Sequence, residues 1–258
     1  VDIIVKEFVE TKKDLEEVYK KYMTKKPSVK GENILLYFQD YEKDKYNKIS
    51  KKLEYMLKNE SDYDESNWQS EILQIIRLIF PKYIRAFEGV TIKDTDFAKS
   101  KYLDFMLVDA NGNIDIAEIK QPFSHKNIVS MNQYRNNHIP LRELSGSIMQ
   151  VEKYIYNLTR WGERGENILT ERYIKELPKG FKIKITNPNG LIIMGREDRL
   201  TEDQKKDFEI IKRKYKNVID ILTYDDLFSR SHIFSTQLPT HTLRPPPDHR
   251  VPLLTDST

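Results

Sequence analysis

The chain has 258 residues, long enough for one sizeable core with an appendage or for two small domains. Its 43 Lys and Arg nearly balance 40 Asp and Glu, a net charge of +3, which excludes a histone-like polycation while allowing a local basic groove. With no cysteine, a disulfide framework, a thiolate zinc site and a cysteine nucleophile are all excluded. The five histidines form no pattern such as His-Glu-x-x-His, so oxygen donors, and with them magnesium or manganese, are the metal chemistry this composition supplies. There is no signal peptide and no long apolar run, which predicts a soluble cytoplasmic protein without a membrane partner.

The chain opens at Val1 in sequence that already looks structured, as expected of a piece of a longer protein. Residues 1–62 read as a polar helical segment. One helix is predicted over Lys12 to Lys25, with Leu15, Val18, Tyr19 and Tyr22 at amphipathic spacing, and another from Glu32 to Asn59. This segment reads as an interaction or linker module without chemistry of its own.

Residues 63–229 read as a separate domain. Asp64 or Ser66 can cap a helix whose buried stripe is Trp68, Ile72, Ile75, Ile76 and Ile79, stopping at Pro81. Strands are predicted at Tyr83 to Phe87, Tyr102 to Val108 and Ile114 to Lys120, then a helix over Leu141 to Leu158. Phe181 to Ile185 and Gly190 to Met194 read as strands, Thr201 to Tyr215 as a charged helix, and Val218 to Thr223 as a last strand. Tyr224 to Phe228 opens a short helix, with Asp225 and Asp226 as its caps. This order predicts an α/β fold, a mixed central sheet flanked by helices. Residues 230–258 hold no lysine and five of the 11 prolines, which predicts a disordered tail or appended non-native sequence.

The hairpin KYLDFMLVDANGNIDIAEIK carries the chemistry. If Asp109 to Asn113 form the loop around Asn111-Gly112, Val108 faces Ile114 and Asp104 faces Glu118. Lys120 then shares that face by strand alternation. Two carboxylates opposed across a ladder repel each other, and a divalent cation between them removes the cost. A second Glu-x-Lys, Glu10-Thr11-Lys12, lies at a helix start and reads as a solvated face. The copy at Glu118 differs because Ile114 and Ile116 precede it on an apolar face.

A helical Glu, a strand Asp and Glu-x-Lys on the next strand make up the core of the PD-(D/E)xK nuclease superfamily. The chain resembles it at Glu71, Asp104, Glu118 and Lys120, with Leu103 where the motif has proline. The NWQSEIL helix, the EIKQP strand end, Gln150 with Tyr154, and the GLIIMGRED and IDILTYDDL blocks follow in order. Over Asp64 to Ser229 they make the chain similar to the C-terminal nuclease domain of Shedu anti-phage defence proteins. The resemblance implies a restriction-endonuclease-like core and a magnesium-dependent DNA endonuclease, with manganese as a substitute. It also implies a homo-oligomer, dimer or tetramer, controlled by an N-terminal region of the full-length protein.

On this reading Asp104 and Glu118 bind the metal, joined by the Ile119 carbonyl, and Glu71 joins directly or through water. Gln69 is the rival for that helix role, and the preference for Glu71 rests on charge. Lys120 orients or deprotonates the attacking water, or stabilises the pentacovalent charge. Gln150 and Tyr154, one helical turn apart, and Arg196 are candidates for the substrate site. A helix-to-sheet contact and a solvated strand end are their structural alternatives. Other nucleases of the superfamily, of restriction or junction-resolving type, are the rival enzymes. A non-catalytic nucleic-acid-binding or assembly module is the rival of another class.

Overall fold

Ten elements follow one another in the computed structural model, which describes residues 34–59, 62–93, 100–122 and 128–237. They are α1 (Ile34–Lys58), α2 (Glu65–Ile79), β1 (Tyr83–Lys93), β2 (Ser100–Asp109), β3 (Ile114–Ile119), α3 (Arg142–Arg172), β4 (Gly190–Ile193), α4 (Glu202–Tyr215), β5 (Ile219–Leu222) and α5 (Tyr224–Gln237). The expected helix over Lys12 to Lys25 and the tail beyond Gln237 lie outside the described residues. The chain divides into two units, Val1–Asn47 with His232–Thr258, and Lys48–Ser231.

In the larger unit the strands form one mixed sheet in the order β1-β2-β3-β4-β5. The first three run antiparallel, and β4 and β5 join in parallel after the helical crossovers α3 and α4. The hairpin register is the expected one, running from Val108↔Ile114 to Phe105↔Ala117, which puts Asp104 and Glu118 next in line. Its turn is closed by Asp109, whose carboxylate accepts the N–H groups of Asn111 and Asn113. Gly112 takes φ 89° there, and a Cβ on it would stand 2.2 Å from the Lys182 carbonyl oxygen, so only glycine fits.

Strand alternation builds two buried faces. Met106, Val108, Ile114 and Ile116 pack with Tyr154, Leu158 and Trp161 of α3. Ile192, Ile219 and Ile221 pack with Ile148 and Val151 of α3 and Phe208 of α4. Residues facing the other way, Phe105, Leu107, Ala117, Ile119, Leu191 and Ile193, are buried as well. At roughly 1.5–3 kcal/mol for each large aliphatic side chain, this burial holds the sheet and fixes its faces. The α2 stripe is the expected one, with Asp64 as N-cap accepting from the Asn67 N–H.

Four elements differ from expectation. β1 runs on to Lys93, well past Phe87. α3 continues from Leu158 to Arg172 through a break at Gly162, φ 48° and ψ −140°, because Trp161, Gly165 and Leu169 carry its buried stripe onward. Phe181 to Ile185 is not a strand and makes only the bridge Asn113↔Lys184. The N–H groups of Ile183 and Ile185 go instead to the side chains of Thr170 and Glu166 on α3. Finally, residues 230–237 are helical, so the expected disordered tail does not begin at 230. Ser231 and Ser235 bond back to the carbonyls of Leu227 and His232. Within the smaller unit Phe234 stacks on Tyr46 with centroids 4.8 Å apart. The prolines that mark the compositional change begin only at Pro239. Among the described residues no helix is long and apolar enough to cross a membrane.

Candidate active site

The end of β3 is held by three neighbours. The Lys120 N–H donates to the Ile193 carbonyl of β4 at 2.9 Å, which keeps Lys120 in the strand direction one residue past the ladder. The Tyr224 hydroxyl donates to the Lys120 carbonyl at 2.7 Å, and Gln69 of α2 donates to the Ile119 carbonyl at 3.0 Å. Backbone groups at a strand end are thus satisfied from two helices, which fixes the side chains that follow.

Asp104, Glu118 and Lys120 come together on the face that alternation assigns them. Lys120 Nζ stands 2.6 Å from Glu118 Oε1 and 4.0 Å from Asp104 Oδ2. Glu118 is fully buried. Its other oxygen lies 3.4 Å from Gln150 Nε2, and that amide donates to the Tyr154 hydroxyl at 2.8 Å. Gln150 and Tyr154 therefore belong to the cluster. Asp104 Oδ2 and Glu118 Oε1 are both buried without a hydrogen-bond partner. Oε1 is met instead by the Lys120 ammonium as an ion pair.

Burial is the main force on all three groups. It pushes Glu118 up to about 7, the charge of Asp104 adding to the rise and Lys120 opposing it. It raises Asp104 too, against the pull of the Lys120 charge. Burial pulls Lys120 down, but Glu118, Asp104 and Glu65 outweigh it and hold the ammonium above its ordinary value. At neutral pH the lysine is protonated between two acids that resist sharing full charge.

Two buried carboxylate oxygens on one face, Asp104 Oδ2 and Glu118 Oε1, met there only by the Lys120 ammonium, are donors of the kind a small hard cation takes. Among the described residues no group of three or more His, Cys, Asp or Glu converges as a metal cage. Any cation here would be held by Asp104 and Glu118, with the Ile119 carbonyl as a third protein oxygen whose second lone pair Gln69 leaves available.

Glu71 does not join this cluster; it pairs with Lys52 of α1 at 3.1 Å. Two helical residues turn the side chain by about 200°, so Glu71 and Gln69 cannot face the same way. Gln69 faces β3, with Glu65 one turn earlier on the same side and 3.4 Å away. Arg196 follows β4 and makes its ion pairs with Asp225 at 3.0 Å and Asp198 at 3.6 Å. It fastens the β4 loop to the start of α5, where Thr223 and Asp226 exchange capping bonds. Reading the sequence missed Tyr224, whose hydroxyl also accepts the Trp68 indole N–H at 2.8 Å. The only signal was an aromatic residue in the ILTYDDL block, and it read as the start of a helix.

Two cavities flank the acids. One, of about 650 Å³, is lined by Lys101 and Tyr102 of β2 and by Gly146, Met149, Gln150, Lys153 and Tyr154 of α3. The other, of about 360 Å³, includes Ser66, Gln69, Glu88, Tyr102 and Asp104 in its walls. Tyr102 borders both.

Comparison with curated proteins finds no match to the chain. Residues 62–228, most of the chain, match the family described as Shedu protein SduA, C-terminal, and the chain belongs to that family.

Proposed function

We propose that the domain is a metal-dependent DNA endonuclease of an anti-phage defence system, built on a restriction-endonuclease-like core. The observation that carries this reading is the pair of buried carboxylates on one sheet face, Asp104 and Glu118, with the Lys120 ammonium beside them. Membership in the Shedu family supports the defence role, and the mixed sheet ending in Glu-Ile-Lys supports the core. Asp104, Glu118 and the Ile119 carbonyl would hold magnesium or manganese, which when bound polarises a phosphate and makes a bound water more acidic.

The remaining work falls to the chain's own groups. Lys120, protonated, neutralises charge that grows on the phosphate as the bond to water forms. Gln150 holds one oxygen of Glu118 and leaves the other turned to the site. Gln69 orients the Ile119 carbonyl, and Tyr224 fixes the backbone at Lys120. Glu71 and Arg196 have no part in this scheme, since each is taken up by an ion pair elsewhere.

Nicking of supercoiled plasmid tests the reading. The protein should convert plasmid to open-circular or linear DNA with magnesium or manganese and not with a chelator, and Asp104→Asn should lose that activity. DNA binding without cleavage under any divalent cation would favour the non-catalytic module instead. Sequence-dependent cutting would favour a restriction-type relative.

A further inference from the structure

The larger cavity has the features of a site for part of a ligand. Its volume of about 650 Å³ lies within the range of roughly 300–1,000 Å³ usual for small-molecule sites. Its walls combine an aromatic ring, a thioether, two lysines and the Gln150–Tyr154 pair that touches Glu118. Tyr102 is 65% exposed and Met149 62% exposed, so two large apolar side chains line one hollow. Neither serves the core. Tyr102 lies two residues before Asp104 on β2, so both side chains leave the same strand face.

The charge is one-sided. Among the described residues the walls of the larger cavity hold lysines and no acid, whereas the smaller contains Glu88 and Asp104. On the outer side of α3, Arg142, Gly146, Met149, Lys153, Tyr156 and Arg160 form an exposed stripe at spacings of three and four residues. That stripe carries three cations over about 27 Å of helix, with Glu143 and Glu152 on its flanks. Lys153 is the cation that this stripe shares with the larger cavity.

We propose that this cavity takes one unpaired nucleotide of the DNA strand offered to Asp104, Glu118 and Lys120, with its base stacked on Tyr102. Met149 supplies the apolar edge of the slot, and Lys153 supplies charge for a flanking phosphate. A stacking platform accepts any base, because every base has a π-face. This inference rests on the nuclease reading and adds to it a strand with at least one base out of the duplex as the species held beside the acids.

Equilibrium binding of the full chain in calcium tests it, with three probes: a 20-nucleotide dT strand, the same strand with abasic sites throughout, and a blunt 20-base-pair duplex. The dT strand should bind at least several-fold more tightly than the abasic strand. Tyr102→Ala should weaken dT binding about tenfold and erase the difference from the abasic strand, while Tyr102→Phe keeps it. Lys153→Glu should weaken both strands alike and lower the salt dependence. Because Tyr102 is exposed, unchanged melting of the alanine variant serves as the folding control. If Tyr102→Ala binds all three probes as the wild type does, the stacking site is overturned while the nuclease reading stands. If the wild type binds no probe at all, both fall together.

Discussion

The indole N–H of Trp68 donates to the hydroxyl of Tyr224 at 2.8 Å, and that hydroxyl in turn donates a hydrogen bond to the Lys120 carbonyl at 2.7 Å. A helix that precedes the sheet and a helix that follows it are thereby joined at the backbone of the lysine. Both aromatic side chains are fully buried. Burial also pushes the Tyr224 phenol well above its ordinary pKa, so it remains a donor at any working pH.

Tyr224→Phe should therefore cost stability and turnover together. It strands the Trp68 N–H and the Lys120 carbonyl in a dry site, a loss of about 1–3 kcal/mol. The urea midpoint should fall with an unchanged slope. The cleavage rate should fall with little change in DNA affinity, since the contact orients Lys120 and touches no DNA. A stability loss with unaltered turnover would show that this chain is purely structural.

Gln69 and Glu71 should separate in the same assays. Gln69→Ala removes the donor that holds the Ile119 carbonyl, so it should slow cleavage at least tenfold. Glu71→Ala removes an ion pair with Lys52 remote from the acids, so it should leave cleavage within about twofold and cost at most about 1 kcal/mol of stability. The reverse ranking would restore Glu71 to the metal shell.

The hairpin was legible because two local rules agreed. The Asn-Gly turn fixes the register, and alternation then assigns Asp104, Glu118 and Lys120 to one face whatever the rest of the fold does. The helix contribution was not legible in the same way. Gln69 and Glu71 lie on opposite edges of the Trp68–Ile72–Ile76 stripe, and periodicity does not say which edge meets β3. That depends on how α2 packs, and the preference of hard cations for carboxylates pointed to the edge that meets Lys52, while Gln69 meets β3. Phe181 to Ile185 misled for a related reason. Its apolar alternation suits a strand, but Thr170 and Glu166 on α3 take the donors that a ladder would have used. Arg196 looked like a free strand end because its partner Asp225 lies 29 residues on.

Stability should depend on pH in a direction set by Glu118. Its folded value of about 7 lies above the ordinary 4.5, because burial and Asp104 oppose its charge. Below about pH 4.5 the group is protonated in both states and contributes nothing. Between pH 4.5 and 7 the unfolded chain ionises first, so stability falls as pH rises and then levels off, by up to about 3 kcal/mol. The raised value of Asp104 acts in the same direction. Glu118→Gln cannot ionise and should flatten the profile. Magnesium, by supplying counter-charge, should raise the melting temperature more at pH 8 than at pH 5, and should do so far less in Glu118→Gln. A metal-free stability that rises from pH 5 to 8 would contradict the buried-acid account.

Lys120 decides whether the site performs chemistry. Its ammonium is held above the ordinary lysine pKa by Glu118 and Asp104, so without metal it is a fixed cation and a poor base. If the domain is the proposed nuclease, such a charge, 2.6 Å from a buried carboxylate, would do its main work where negative charge grows on the phosphate. Lys120→Ala should then slow single-turnover cleavage by several orders of magnitude while changing affinity little, since one phosphate contact among many is a small loss. Lys120→Arg should not rescue it, because a planar guanidinium is too wide for the position between Asp104 and Glu118. The rate should be measured in magnesium and the affinity in calcium. A second effect follows from the packing. Removing the ammonium leaves Asp104 and Glu118 with no cation between them, so Lys120→Ala should bind magnesium in a thermal-shift titration yet be less stable than wild type without it. An alanine variant that cuts near the wild-type rate, or fails only because it no longer binds DNA, would remove Lys120 from the chemistry.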